Sequence, residues 1–89
     1  MIKITQLEIL DDHRVLLTFN DHQAGIYDAA PLLARDTVLT RPLQEPAYFA
    51  RAFLELGALC WPNGLELSPS AIHRELTDAG VLSPRPRVA

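Results

Sequence analysis

An α+β domain follows from three features of the sequence: a small, mostly antiparallel sheet of about four to five strands, short helical turns and one C-terminal helix. Apolar and polar residues alternate with period two through the first third of the chain, which is the strand period. Prolines at 31, 42 and 46 then interrupt every candidate for a long helix. Finally, Ser68-Pro69 opens a helical stretch that Gly80 closes.

Residues 2–10, IKITQLEIL, place Ile2 and Ile4 in one phase and Leu7 and Ile9 in the other. A bulge near Thr5–Gln6 reconciles them, because one extra residue re-aims the following side chains. Asp11-Asp12-His13 predicts a turn. Residues 14–20, RVLLTFN, set Val15, Leu17 and Phe19 on one strand face. Asp21-His22 predicts a two-residue hairpin loop that lacks the Gly such loops favour. Residues 23–28, QAGIYD, supply the partner strand.

Leu32 and Leu33 suit a short helical turn, and Asp28 is placed to cap it. Pro46 suits the start of another, with Tyr48 and Phe49 as its apolar contacts. In residues 50–56, ARAFLEL, a strand puts Ala52, Leu54 and Leu56 inward and Phe53 toward solvent. The rival is a helix, since Ala, Arg, Leu and Glu favour one. Gly57 and the apolar ALCW after it favour the strand, as a hairpin or as one bent strand. Pro62-Asn63-Gly64 predicts a type I turn followed by a left-handed residue. The helix is expected over 69–78, with Ile72 and Leu76 facing the sheet. One domain is expected over 1–80, with 81–89 a frayed Pro/Arg tail.

The 89 residues suffice for one domain, and 48% are apolar. A net charge of -3 argues against bulk nucleic-acid binding. One cysteine cannot form an internal disulfide, and no apolar run reaches the roughly 20 residues of a membrane span. The expected location is the cytoplasm.

The set Phe19-Asn20-Asp21, Tyr27-Asp28 with Pro31-Leu32-Leu33, Tyr48-Phe49, Trp61-Pro62-Asn63-Gly64, Leu67 and Pro69 resembles a small bacterial family. It is called domain of unknown function 2442, and the likeness covers residues 3–77, with the WPNG step its most specific part. The family commonly has Gly after the Asp of the first hairpin, where this chain has His22. The resemblance implies an α+β sheet with a short C-terminal helix. It also implies members that stand alone or carry a helix-turn-helix domain. Some stand-alone members sit beside a second small protein in a toxin–antitoxin-like arrangement. No catalytic residues are carried over from it.

The side chains able to do chemistry do not group by spacing. His13 and His22 lie at opposite ends of a strand, roughly 30 Å apart for about nine residues. Cys60 has no Cys partner for a metal and no adjacent base for catalysis. The carboxylates fall at turns, and nucleotide and hydrolase motifs are absent. No cofactor, metal or catalytic residue is therefore expected. Trp61, Pro62, Asn63, Gly64, Ser68 and Pro69 form the structural motif, and Phe53, Arg85 and Arg87 are candidate interface residues. Phe53 packing under the proline-rich segment is the alternative.

The expected function is a non-enzymatic protein-interaction module, antitoxin-like, with a protein partner encoded nearby or a second copy of itself. A dimeric DNA-binding regulator is the first alternative. A small enzyme or ligand binder with a pocket near Trp61 and Tyr48 is the second.

Overall fold

The computed structural model describes residues 1–84. In chain order the elements are β1 (Ile4–Ile9), β2 (Arg14–Phe19), β3 (Gln23–Asp28), α1 (Ala30–Leu33), a 3-10 turn (Arg41–Gln44), α2 (Pro46–Phe49), β4 (Phe53–Glu55), β5 (Ala58–Cys60), β6 (Glu66–Leu67), α3 (Pro69–Asp78) and β7 (Ser83–Pro84). The α+β class is as expected, and every strand pairing is antiparallel. The strands form two sheets instead of one, ordered β1-β2-β3-β7 and β4-β5-β6. The proline-broken segment carries the chain away from the first sheet, and the following hairpin closes on itself. One backbone bond joins the two where they meet, from Ile4 N–H to Gly57 C=O at 2.9 Å.

The expected bulge lies between Ile4 and Gln6, where the β1–β2 register shifts. It lets Ile4, Leu7 and Ile9 all contribute to the core beside the fully buried Val15, Leu17 and Phe19. Asn20 clamps the start of β1: its Oδ1 accepts from Lys3 N–H and its Nδ2 donates to Met1 C=O. The first hairpin loop has three residues, Asn20 to His22, where the sequence predicts two. His22 N–H donates to Phe19 C=O, and His22 takes the left-handed conformation at φ 66°. That geometry is a turn followed by a left-handed residue, a role glycine fills more easily.

Between β4 and β5 the chain makes a true hairpin. Glu55 pairs with Ala58, leaving the two-residue loop Leu56-Gly57 with φ 51° and 83°. Positive φ at both positions marks a type I′ turn. It also reverses one expectation: Leu56 belongs to the turn and is 91% exposed, not inward with Leu54. Phe53 faces solvent as expected, at 40% exposure.

The short helices carry a proline in their first two positions, Pro31 in α1 and Pro46 in α2, where the missing N–H costs no helical bond. Asp28 Oδ1 accepts from Ala30 N–H at 2.9 Å, capping α1 as its position suggested. Helix α3 spans the predicted residues. Ser68 Oγ accepts from Ala71 N–H, and Ile72 and Leu76 are buried. It ends in paired bonds from Gly80 N–H to Thr77 C=O and Val81 N–H to Leu76 C=O, a Schellman closure. Leu76 and Leu82 press on Gly25, where a Cβ would sit 3.0 Å from Leu82 Cδ2. The row Leu7–Leu17–Gly25 therefore forms the inner face of the first sheet, covered by α3. The chain continues as structure beyond the boundary at 80, because β7 adds a fourth strand to β3. Of the expected tail, Arg85 and Arg87 lie outside the described residues.

Two glycine substitutions separate backbone cost from steric cost. A Cβ on Gly57 would lie 2.6 Å from Lys3 Cβ, whereas one on Gly64 meets nothing within 4 Å. Both positions are left-handed, so Gly64→Ala is expected to cost about 1 kcal/mol and Gly57→Ala about 2–4 kcal/mol in urea denaturation. Equal losses would show that the Lys3 contact relaxes freely.

Candidate functional site

The sequence singles out Trp61, and its environment is structural. The indole is 1% exposed. Its Nε1–H donates to Phe49 C=O at 3.0 Å, and the two rings lie 5.8 Å apart, tilted by 40°. Gly64 N–H returns to Trp61 C=O at 3.1 Å and Trp61 N–H to Leu65 C=O at 3.0 Å, making the predicted turn with Gly64 at φ 94°. Asn63 holds this turn from both sides: Oδ1 accepts from Leu65 N–H and Nδ2 donates to Leu39 C=O. The second alternative places a pocket around Trp61 and Tyr48, but the indole itself is buried and offers no surface to a ligand. Tyr48 instead lies partly exposed under the Arg51 guanidinium, 5.5 Å from its ring centre.

One concave surface lies elsewhere among the described residues. A groove of about 640 Å³ is lined by Thr5, Gln6, Leu7 and Glu8 of β1, Leu16 and Thr18 of β2, and Leu54 of β4. It borders the face of the first sheet opposite α3. Register fixes the rows on that face as Gln6–Thr18–Ala24 and Glu8–Leu16–Ile26. Ile26 is 42% exposed there. Sequence alternation marks this as the polar face, so the groove leaves little signal in the sequence.

The titratable groups serve the frame. Asp11 Oδ1 accepts from His13 N–H and Arg14 N–H, and Oδ2 accepts from Arg14 Nε, which together hold the carboxyl at about 2. Asp12 Oδ1 lies 2.7 Å from His13 Nδ1 and raises its pKa. These three residues could group around a metal, with ligand atoms within 4.8 Å of one another, but they already bond to one another and to the turn backbone. His22 is exposed at the far end of β2, so the expected separation of His13 from His22 holds. His73 instead meets Asp21 across 52 residues, Nε2 to Oδ2 at 2.8 Å, with its ring edge-on to Phe19 at 5.0 Å. No sequence spacing announces that pair. Burial pushes the Asp21 carboxyl up, yet the His73 and Gln23 hydrogen bonds outweigh it and leave it below its usual value. Burial pushes the Cys60 thiol up and Tyr27 up to about 12, so neither is readily ionised.

Two outcomes follow. Trp61→Ala is expected to cost about 3–5 kcal/mol, enough to unfold most of so small a domain, and wild-type melting of the variant would refute the anchor role. Asp11 and Asp21 have depressed folded pKa values, so their stabilisation is complete above their ordinary value near 3.8 and is lost as pH falls through the folded values, which is about 2 for Asp11 and lies below the ordinary value for Asp21. The urea midpoint should drop through that window, and Asp21→Asn should flatten the drop. An unchanged slope in that variant would remove Asp21–His73 as a contributor.

Comparison with known proteins gives one relationship. The family described as "Protein of unknown function (DUF2442)" matches residues 4–78. No curated protein matches, and no solved structure matches. The matched span contains both sheets except β7, the buried Trp61 turn and all of α3. The chain belongs to the DUF2442 family.

Proposed function

We propose that this domain is a non-enzymatic protein-interaction module. The observation that carries the reading is the helix-free face of the first sheet. There Leu16 and Ile26 stand partly exposed, and the groove beside them is walled by Leu54. A half-apolar sheet face beside a groove suits contact with another protein. The buried Cys60 and the frame-building carboxylates support the same reading, since their geometry favours neutral thiol and hydrogen-bonded carboxylate over chemistry on a substrate. The finer form of the proposal is an antitoxin-like member of a two-protein bacterial operon, acting in the cytoplasm. Among the described residues, no helix is long and apolar enough to cross a membrane.

Co-expression of the tagged chain with the product of the neighbouring reading frame tests this directly. Co-purification and rescue of growth are expected, and two proteins that never co-purify and show no rescue would sink the reading. Ile26→Glu should weaken co-purification while costing about 1 kcal/mol in urea denaturation, a loss that leaves the domain folded, because Ile26 is only partly buried. A variant that binds as well as wild type would move the contact off this face.

A further inference from the structure

Helix α3 covers the inner face of the first sheet through Ile72 and Leu76. The outer face carries no element. There register sets Glu8, Leu16 and Ile26 side by side on β1, β2 and β3, and Leu54 of β4 stands beside the groove. Leu16 and Leu54 are half-buried, while Gln6, Glu8 and Ile26 are exposed, so the face is open to solvent above them. The central strand β2 pairs with β1 on one side and β3 on the other, which uses its backbone groups. An occupant lying on this face therefore meets side chains and must satisfy its own backbone hydrogen bonds. A helix does so internally, and a lone extended segment does not. Width points the same way. From β1 to β3 is two strand spacings, about 10 Å. A helix about 10–12 Å across covers that width, whereas an extended chain about 5 Å across covers one strand.

Resting on the reading of this domain as an interaction module, we propose that the outer face of the first sheet takes a single amphipathic helix of a partner protein, with a basic residue set against Glu8. Leu16 lies on the floor of this face, with Leu54 on one flank and Ile26 on the other, and they suit the apolar stripe of such a helix. Of the residues lining the groove, Glu8 alone is charged, and it takes part in none of the ion pairs among the described residues. A Lys or Arg at the edge of the stripe complements that charge. A second copy of this chain suits the face less well. It would bring another Glu8 and another net charge of -3 to the same contact, where like charges oppose binding. Along the strands the face runs from Gln6 to Leu10, about 14 Å, which a helix of about nine residues spans.

The probe is a phage library displaying fragments of the source genome, selected on the immobilised full chain. The shortest segment shared by the enriched fragments is then made as a synthetic peptide, which at this length is largely unfolded alone. Mixed with the full chain, it should gain helical circular dichroism and shift the methyl resonances of Leu16, Ile26 and Leu54. Glu8→Lys, at an exposed position, should keep the melting temperature and weaken the peptide about fivefold. Exchanging the peptide's basic residue for Glu should restore binding to that variant. A peptide that binds without gaining helicity, or that shifts the Leu7 and Ile9 amides and leaves the three methyls unmoved, would overturn the helix and leave the interaction reading standing. Unchanged affinity in the Glu8→Lys variant would overturn the pairing with Glu8. Failure to enrich any fragment would overturn the proposal too, with co-purification of the neighbouring protein still deciding the broader reading. Dimerisation of the chain alone with the same methyl shifts would put a second copy on this face instead.

Discussion

The fold depends on one buried hydrogen bond, from the Trp61 indole to the Phe49 carbonyl. A buried indole N–H without a partner is costly, so the ring can be buried only where an acceptor waits. Phe49 ends the short helix α2, and Trp61 follows β5 of the second sheet. Their bond therefore fastens the proline-broken middle of the chain to the hairpin beyond it. Helix α2 is too short to be stable alone, and its position comes from this bond and from the burial of the Phe49 ring. The turn after Trp61 extends the same anchor outward, because Asn63 reaches the Leu39 carbonyl in the preceding loop.

The second constraint is the meeting of the two sheets at Gly57. Strand β1 and Lys3 before it touch the tip of the β4–β5 hairpin, where Ile4 N–H bonds to Gly57 C=O. The hairpin has three residues on each side, and β1 and β4 stay in separate sheets. Both β1 and β4 are edge strands, a feature that proteins commonly cover or protect with charge. Glu8 supplies such a charge on the β1 edge.

The polar side chains are spent on geometry. Asn20 ties the first residues to the hairpin, Asp11 and Asp28 close turns, Ser68 caps α3, and Asp21 joins His73. Among the described residues, every buried side-chain nitrogen and oxygen has a partner. A domain of this size has little apolar core, so such caps and turns carry a large share of its specificity.

By itself the sequence determined whatever depends on neighbours along the chain. The bulge at Thr5, the proline starts, the Ser68 cap, the Gly80 stop and the Pro62-Asn63-Gly64 turn each rest on a few adjacent residues, and each is where the pattern puts it. The WPNG step was legible as an anchor for the same reason. Tertiary structure decided the rest, since strand alternation fixes a face but not a partner. Leu56 shows this well: its place in the apolar phase points inward, yet the type I′ turn required to reverse the chain at Gly57 turns it out to solvent. The division into two sheets, the return of β7 to β3, the pairing of Asp21 with His73 and the meeting of Ile4 with Gly57 all bring together residues far apart in sequence. No local propensity encodes them, because each exists only once packing has brought its parts together.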